Sequence, residues 1–149
     1  MSHFVTPLDT RKLGKGPRGR STYKLLAPLV YVSDALASTI TVPAGFITDY
    51  ASVPRLPLVF LVTGDKAHEA AVIHDWLYTT HAHEGREVSR ELADRVFREA
   101  VAVAEESATL AGLMYAGVRL GGAGAWDAAG PAQSPMVAAT IDAASLVAP

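Results

Sequence analysis

Ionisable residues of this chain interrupt two apolar runs that have the spacing of helices. His74 and Asp75 lie within the apolar segment 70–78, and Asp94 lies within a second one at 92–101. Such side chains are rarely buried unless they are paired or take part in chemistry. The helical repeat puts His74 and Asp94 on the inward faces of two helices joined by a short loop. We therefore expect Asp94 to orient His74 through one ring nitrogen, so that the other can act as a general base.

The same region also suggests a metal site. Asp75 points about 100° round the helix from His74, and its hard carboxylate oxygens would suit Ca²⁺. Asp49 and the carbonyl groups of the proline-rich loop that follows it are the further predicted ligands. In that loop Arg55 would hold an anionic substrate or pair with Asp49. Ser52 would bond nearby backbone amides and support the turn.

Each of these assignments has a structural alternative. The His74–Asp94 pair could fix the register of two helices without any turnover. Asp75 could instead be an exposed carboxylate, or it could form a salt bridge with Arg90 or Arg95.

The strands that must support this site are predicted for the N-terminal half. Residues 1–21 are rich in glycine, proline and basic side chains, which indicates an arm. Over residues 22–46, β-branched and aromatic residues alternate between breakers, a pattern typical of short antiparallel strands. A further extended piece is predicted at 46–48, before the prolines that mark a loop.

Helices are predicted for the second half, each after a polar residue suited to N-capping. They cover about 66–80 after Asp65, 89–106 beginning at Ser89, and a third segment from Ser107 to Gly121–Gly122. His81, His83 and Gly85 mark a loop between the first two. The tail 123–149 is rich in alanine, glycine and proline, with only a weak helical pattern near 136–147, and is expected to contact a partner subunit.

These elements predict an α+β fold with one domain at residues 22–122. A small antiparallel sheet packs on a helical hairpin and a third helix, and extended arms of residues 1–21 and 123–149 flank the domain.

Composition narrows the classes of function. A length of 149 residues fits one domain, and half of the residues are hydrophobic, which excludes a disordered chain. A net charge of -2 gives no reason to expect specific binding of nucleic acid. The chain has no cysteine, so disulfides, thiol chemistry and thiolate metal sites are excluded. The sequence shows neither a signal peptide nor a transmembrane segment.

Three separated motifs resemble a known family. The chain from about residue 22 to 120 is similar to family 1353 of domains of unknown function, which occurs in tailed phages, prophages and gene transfer agents. The motifs are Val42-Pro43-Ala44-Gly45-Phe46-Ile47-Thr48-Asp49-Tyr50-Ala51-Ser52-Val53-Pro54-Arg55, then residues 71–78, then Ala93-Asp94-Arg95-Val96-Phe97. The family has no established activity, but the resemblance implies a virus-related setting.

A shorter resemblance concerns mechanism. His74-Asp75-x-x-Tyr78 followed by Ala93-Asp94-x-x-Phe97 is similar to the paired-helix site of calcium-dependent phospholipases of the secreted A-two type, especially the short version in parvovirus capsid proteins. That resemblance implies that His74 activates water, Asp75 binds Ca²⁺, Asp94 orients His74 and Tyr78 supports Asp94. The glycine-rich calcium loop of those enzymes is missing before the first helix.

Two classes of function are therefore expected. One is a component of the virion or tail, or of its assembly, that bears a hydrolytic His/Asp site and contacts other phage proteins or copies of itself in an oligomer. The other is a phospholipase-like or cell-envelope ester hydrolase that acts when a phage enters or leaves its host. Either would be found in the virion or in the bacterial cytoplasm during assembly. In an enzyme, His74→Ala or Asp94→Asn should abolish turnover and leave the melting temperature nearly unchanged.

Overall fold

The computed structural model describes residues 1–16, 19–50 and 67–129. Its architecture is α+β, as the sequence predicts. The strands are β1 (His3–Phe4), β2 (Thr10–Lys15), β3 (Ser21–Leu25), β4 (Leu29–Ser33), β5 (Ser38–Val42), β6 (Ile47–Thr48), β7 (Ala82–His83) and β8 (Arg86–Glu87). The helices are α1 (His68–Thr80), α2 (Arg90–Ala104), α3 (Ala108–Gly121) and α4 (Ala123–Ala128).

The strands of the N-terminal half form two antiparallel sheets. Their orders are β1-β4-β5 and β2-β3-β6, where the sequence predicts one small sheet. Strand β4 alternates buried and half-buried residues, and its pairing sets Leu29 opposite Val42 and Tyr31 opposite Ile40. This apolar face of the first sheet packs against α1 and α2.

The segment 1–21 contributes strands to both sheets, where an arm is predicted. Strand β1 pairs with β4, and β2 pairs along its length with β3. The three basic residues of β2 are all exposed, so its charged composition reflects solvent contact along a paired strand. The content of glycine and proline does not distinguish such an edge strand from a free arm, because both are in contact with water.

The predicted caps are present at two of the three long helices. Ser89 accepts a hydrogen bond from the amide of Leu92 at the start of α2. Ser107 does the same for Leu110 at the start of α3. Helix α1 begins later than predicted, after Ala67 in a left-handed conformation and without a side-chain cap. The predicted cap Asp65 lies outside the described residues.

Two other segments are more regular than expected. The predicted loop after α1 is a short hairpin, β7–β8. The tail has a helix at its start, α4, although none is predicted there; residues 130–149 lie outside the described part of the chain. No helix within residues 1–16, 19–50 and 67–129 is long and apolar enough to cross a membrane.

Helix α2 is the central helix of the second half, because it packs against α1 on one side and α3 on the other. Its carboxylate Glu99 also fastens it to the first sheet. That side chain accepts hydrogen bonds from the Tyr31 hydroxyl at 3.0 Å and from the amide of Ala35 at 2.8 Å. The position of Asp94 on α2 is therefore set by both neighbouring helices and by a sheet.

Candidate functional site: a buried imidazole–carboxylate pair

Helix α1 directs His74 into the interior. The His74 side chain is 1 % exposed. Its ring lies 4.1 Å from that of Tyr78 and 4.7 Å from that of Phe97, measured between centroids. The other residues on this inward side, five from α1 and its N-cap, are buried too: Ala67, Ala70, Ala71, Leu77 and Tyr78.

The structure brings His74 and Asp94 into contact. The Nε2 atom of His74 lies 2.8 Å from Oδ1 of Asp94, whose side chain is fully buried. The same oxygen accepts a hydrogen bond of 2.6 Å from the Tyr78 hydroxyl. Tyr78 and His74 therefore share one oxygen of Asp94.

Two arginines complete the surroundings of Asp94. Arg119 of α3 donates to Oδ2 at 2.8 Å, and Arg90, one turn before Asp94 on α2, has its Nη1 atom 3.6 Å from that oxygen. Burial acts to raise the pKa of Asp94, but the hydrogen bonds from His74, Tyr78 and Arg119 outweigh it and hold the pKa below its ordinary value. Asp94 is therefore a carboxylate at neutral pH and can only accept hydrogen bonds.

The protonation of His74 follows from that of its partner. Burial lowers the pKa of His74 below its ordinary value, although the carboxylate of Asp94 acts in the opposite direction. A neutral imidazole that bonds an ionised carboxylate through Nε2 must carry its proton on Nε2. Its Nδ1 atom then holds the lone pair.

That lone pair is not used within the described structure. Nδ1 of His74 is buried and has no hydrogen-bond partner among residues 1–16, 19–50 and 67–129. Buried polar atoms are nearly always paired, and leaving one unpaired costs about 1–3 kcal/mol. The arrangement therefore leaves an oriented basic nitrogen that is buried and has no partner among the described residues.

Asp75 has different surroundings, on the side of α1 that faces the second sheet. Its Oδ2 atom accepts a 2.5 Å hydrogen bond from the Thr48 hydroxyl. Burial raises the pKa of Asp75 to about 7, against the lowering effect of the Thr48 bond and with a further increase from the charge of Asp49. The pairing with Arg90 that we considered for Asp75 is not formed, because Arg90 lies against Asp94.

The other predicted metal ligand, Asp49, has a cationic neighbour. Its carboxylate lies 3.8 Å from the guanidinium of Arg20. Ser52 and Arg55, the predicted supporting residues of the same loop, lie outside the described residues.

The described side chains alone do not complete a metal site. Within residues 1–16, 19–50 and 67–129, no three His, Asp or Glu side chains are grouped so that they could hold a metal. The Ca²⁺ assignment to Asp75 and Asp49 stays a prediction from the sequence.

Three neighbours of the pair were not singled out from the sequence. Arg119 could have been found, because it is the one charged residue of the otherwise uncharged helix α3. Trp126 of α4 packs edge-on against Tyr78, with ring centroids 4.9 Å apart, and stacks on His81. Gly122 lies where a β-carbon would be 2.7 Å from the Tyr78 hydroxyl. No spacing or motif indicates the last two contacts.

These observations define the class of protein: it is an α+β domain that holds an imidazole–carboxylate pair between three helices. The chain belongs to the family described as "Protein of unknown function (DUF1353)", whose sequence model matches residues 23–118. That match covers all of α1 and α2 and most of α3, and therefore every residue that contacts Asp94 except Arg119. No curated protein and no solved structure matches the chain.

Proposed function

We propose that His74 and Asp94 form a general-base pair that hydrolyses an ester. The observation that carries this proposal is the free Nδ1 atom of a buried, neutral imidazole whose Nε2 atom is held by a carboxylate. A base must be deprotonated and oriented before the reaction. Burial keeps the imidazole of His74 neutral, and Asp94 orients it through Nε2. Tyr78 and Arg119 keep that carboxylate ionised and in place.

The proposed step is simple in its proton balance. Nδ1 takes a proton from a water molecule as the water oxygen bonds to the ester carbonyl carbon, and the carbonyl electron pair moves to its oxygen. When the tetrahedral intermediate collapses, the carbon–oxygen bond to the alcohol breaks and the imidazolium returns the proton to the departing alkoxide. Asp94 stays ionised throughout and stabilises the transient imidazolium through Nε2, as carboxylates do in other His-dependent hydrolases.

We further propose a phage or prophage setting for this activity. The support is the family, because the resemblance of the three motifs to it implies occurrence in tailed phages, prophages and gene transfer agents. In such a setting the protein is a virion or tail-associated component, or one needed for assembly, that contacts other phage proteins or its own copies. Its substrate would be a phospholipid or another ester of the cell envelope.

A second candidate function is a structural clamp without turnover. The observation in its favour is that the pair is shielded from solvent, because the His74 and Asp94 side chains are 1 % and 0 % exposed. Asp94 also joins three helices, since its partners lie on α1, α2 and α3. In this case the pair sets the packing of the helical layer, and the phage protein has only a structural role.

One substitution separates the two candidates. In His74→Gln, the amide nitrogen of glutamine can take the place of Nε2 and still donate to Asp94, but the basic Nδ1 atom is lost. If the pair is catalytic, hydrolysis of a fluorogenic phospholipid or short-chain ester should fall about 10²–10⁴-fold, while the melting temperature changes little. The matched control is His3→Gln, which changes an exposed histidine of β1.

The clamp predicts the opposite pattern. His74→Gln would then leave every functional readout of the full chain unchanged, and no esterase activity above that of the His74→Gln protein would be found in the unsubstituted one. Asp94→Asn, in contrast to the expectation from the sequence, does not discriminate between the two candidate functions. Because Asp94 also holds Arg119 and Arg90, removing its charge should destabilise the protein in both cases, by about 3–5 kcal/mol for a buried ion pair.

A further inference from the structure

Positive charge is concentrated in one part of the chain. Residues 10–33 contain six lysine and arginine residues and no aspartate or glutamate, whereas the rest of the chain carries seven basic and fifteen acidic residues. All six lie within residues 11–24, the region of strands β2 and β3. The net charge of -2 is therefore the sum of one basic segment and an acidic remainder.

Four of these cations are exposed at the edge of the second sheet. In the part of the chain that the structure describes, β2 is the outermost strand of the order β2-β3-β6, and its basic residues Arg11, Lys12 and Lys15 are all exposed. Lys24 of β3 is exposed as well, and it pairs with Arg11 across the two strands. We call these four residues the basic edge. Their long side chains can reach one planar surface from both faces of an edge strand.

Acidic side chains do not neutralise the basic edge. Among residues 1–16, 19–50 and 67–129, the ion pair of these strands and their connection joins Arg20 to Asp49 at 3.8 Å, and none includes a residue of the basic edge. Like charges directly opposite each other on neighbouring strands, as Arg11 and Lys24 are, oppose folding. An anionic partner would offset this repulsion.

One apolar residue is exposed among these charges. The pairing of β2 with β3 shifts between Lys12 and Gly14, so Leu13 lies in a β-bulge without a partner opposite it. Its side chain is 49 % exposed, and a bulge of this kind redirects a side chain at the edge of a sheet. Basic residues around an exposed leucine suit an anionic bilayer, because the headgroups attract the cations and the acyl boundary accepts the leucine.

We propose that the basic edge docks on a bilayer that contains anionic phospholipids, with Leu13 inserted between the headgroups. A nucleic acid would attract the same cations. Single strands, however, are bound by stacking their bases on exposed aromatic rings. Tyr23, the aromatic residue of these two strands, packs instead on Tyr50, with ring centroids 4.7 Å apart. An aliphatic side chain among cations therefore favours the lipid.

Sedimentation of the full chain with vesicles tests the proposal. We expect binding to vesicles of equimolar phosphatidylcholine and phosphatidylglycerol, and none to phosphatidylcholine alone. Each basic residue near such a surface strengthens binding about fivefold, so Arg11→Gln with Lys12→Gln should weaken it about 10–30-fold. The matched control is Arg86→Gln with Arg95→Gln, which removes the same charge at two exposed positions of the second half and should bind normally.

A second pair of variants tests the leucine. Leu13 and Leu113 are exposed to a similar extent, 49 % and 42 %. Leu13→Ser should weaken vesicle binding about five- to tenfold, since it removes the apolar surface that enters the lipid, and Leu113→Ser should not change it. Because Leu13 is exposed and unpaired, its replacement leaves the melting temperature nearly unchanged, so the loss of binding is not a loss of folding.

The contrary results are equally specific. If the unsubstituted chain stays in solution with the anionic vesicles, the proposal is wrong. It is also wrong if the edge and control variants lose binding equally, since net charge alone would then set it. Binding of an oligonucleotide but not of vesicles would assign the basic edge to nucleic acid. Edge lysines also prevent pairing between copies, so dimers of the edge variant, without vesicle binding by the unsubstituted chain, would leave only that protective role.

Docking and hydrolysis can fail separately. The inference does not depend on the proposed reaction, because sedimentation measures binding without turnover. His74→Gln should therefore sediment with the anionic vesicles as the unsubstituted chain does. Loss of docking in that variant would contradict the assignment of the contact to the basic edge.

Discussion

At the scale of single residues, the central fact is the number of donors around Asp94. Its Oδ1 atom accepts from His74 and Tyr78, and its Oδ2 atom accepts from Arg119. The charge of the carboxylate is thus shared among several partners, which is why burial does not neutralise it. His74 receives only part of that charge, so burial prevails and the imidazole stays neutral.

This division of charge makes Tyr78 a testable residue. Tyr78→Phe removes one donor from Oδ1, so more of the negative charge is available to Nε2 of His74. We expect the pKa of His74 to rise towards its ordinary value and the free energy of unfolding to fall by about 0.5–1.5 kcal/mol, as for one lost hydrogen bond. NMR titration of the His74 ring protons measures the pKa directly. An unchanged pKa, equal to that in the control Tyr23→Phe, would show that Tyr78 does not influence the imidazole.

At the scale of elements, the site depends on how closely the turn between α3 and α4 approaches α1. A β-carbon at Gly122 would lie 2.5 Å from the carbonyl oxygen of Val118 and 2.7 Å from the Tyr78 hydroxyl. The backbone of Gly122 has a φ of -83°, which any residue adopts. Glycine is thus required here because a β-carbon would not fit. The close approach that it permits allows α3 to bring Arg119 to Asp94.

Gly122→Ala should therefore push the end of α3 away from Tyr78 and Arg90. We expect a loss of about 1–3 kcal/mol in the free energy of unfolding, as for other overpacked sites, measured by urea denaturation. Gly124→Ala is the matched control, because nothing lies within 4 Å of its β-carbon and alanine is favoured in a helix by about 0.5–1 kcal/mol. The double variant with Tyr78→Phe should lose less than the sum of the two, since one clash is gone. Similar effects of the two glycine substitutions would refute the close approach.

At the scale of the whole molecule, two titratable groups, His74 and Asp75, make stability depend on pH in opposite directions. The pKa of His74 is lowered by burial, so the unfolded chain binds a proton more readily and stability is lost as the pH falls below about 6.5. Burial raises the pKa of Asp75 from 3.8 to about 7. In that interval the folded protein holds a proton that the unfolded chain releases, so this contribution weakens as the pH rises from about 4 to 7.

Asp75→Asn isolates the second effect. Asparagine can still accept the hydrogen bond of Thr48, but it does not titrate. Relative to the unsubstituted protein, the variant should gain about 1–2 kcal/mol in free energy of unfolding between pH 4 and pH 8. A pKa shift of one unit corresponds to about 1.4 kcal/mol, and only part of this applies because Asp75 is only half-buried. Urea denaturation at pH 4, 6 and 8 measures the difference, and Asp9→Asn, at an exposed position, is the control. A difference that is constant with pH would mean that Asp75 titrates normally.

Much of the fold could be predicted from local pattern alone. The strands over 22–46, the α2 and α3 helices with their serine caps, and the inward position of His74 and Asp94 all depend on residues a few positions apart. Periodicity and capping act over one or two turns, so the sequence shows them directly. The same pattern was insufficient for residues 1–16, because β1 pairs with residues 27 and 29 positions away in β4, and because β2 is mostly polar although it pairs with the nearby β3.

By itself, the amino-acid order determined which ionisable groups enter the interior, since a polar residue within an apolar helical stripe has to be buried when the stripe packs. Only the tertiary structure decided what those groups meet. Arg119 reaches Asp94 from α3, and Thr48 reaches Asp75 from β6. Trp126 is placed on His81 by α4. These contacts join residues 25 to 45 positions apart, and they form because helices and sheets meet at angles and distances set by side-chain packing, which no local repeat encodes.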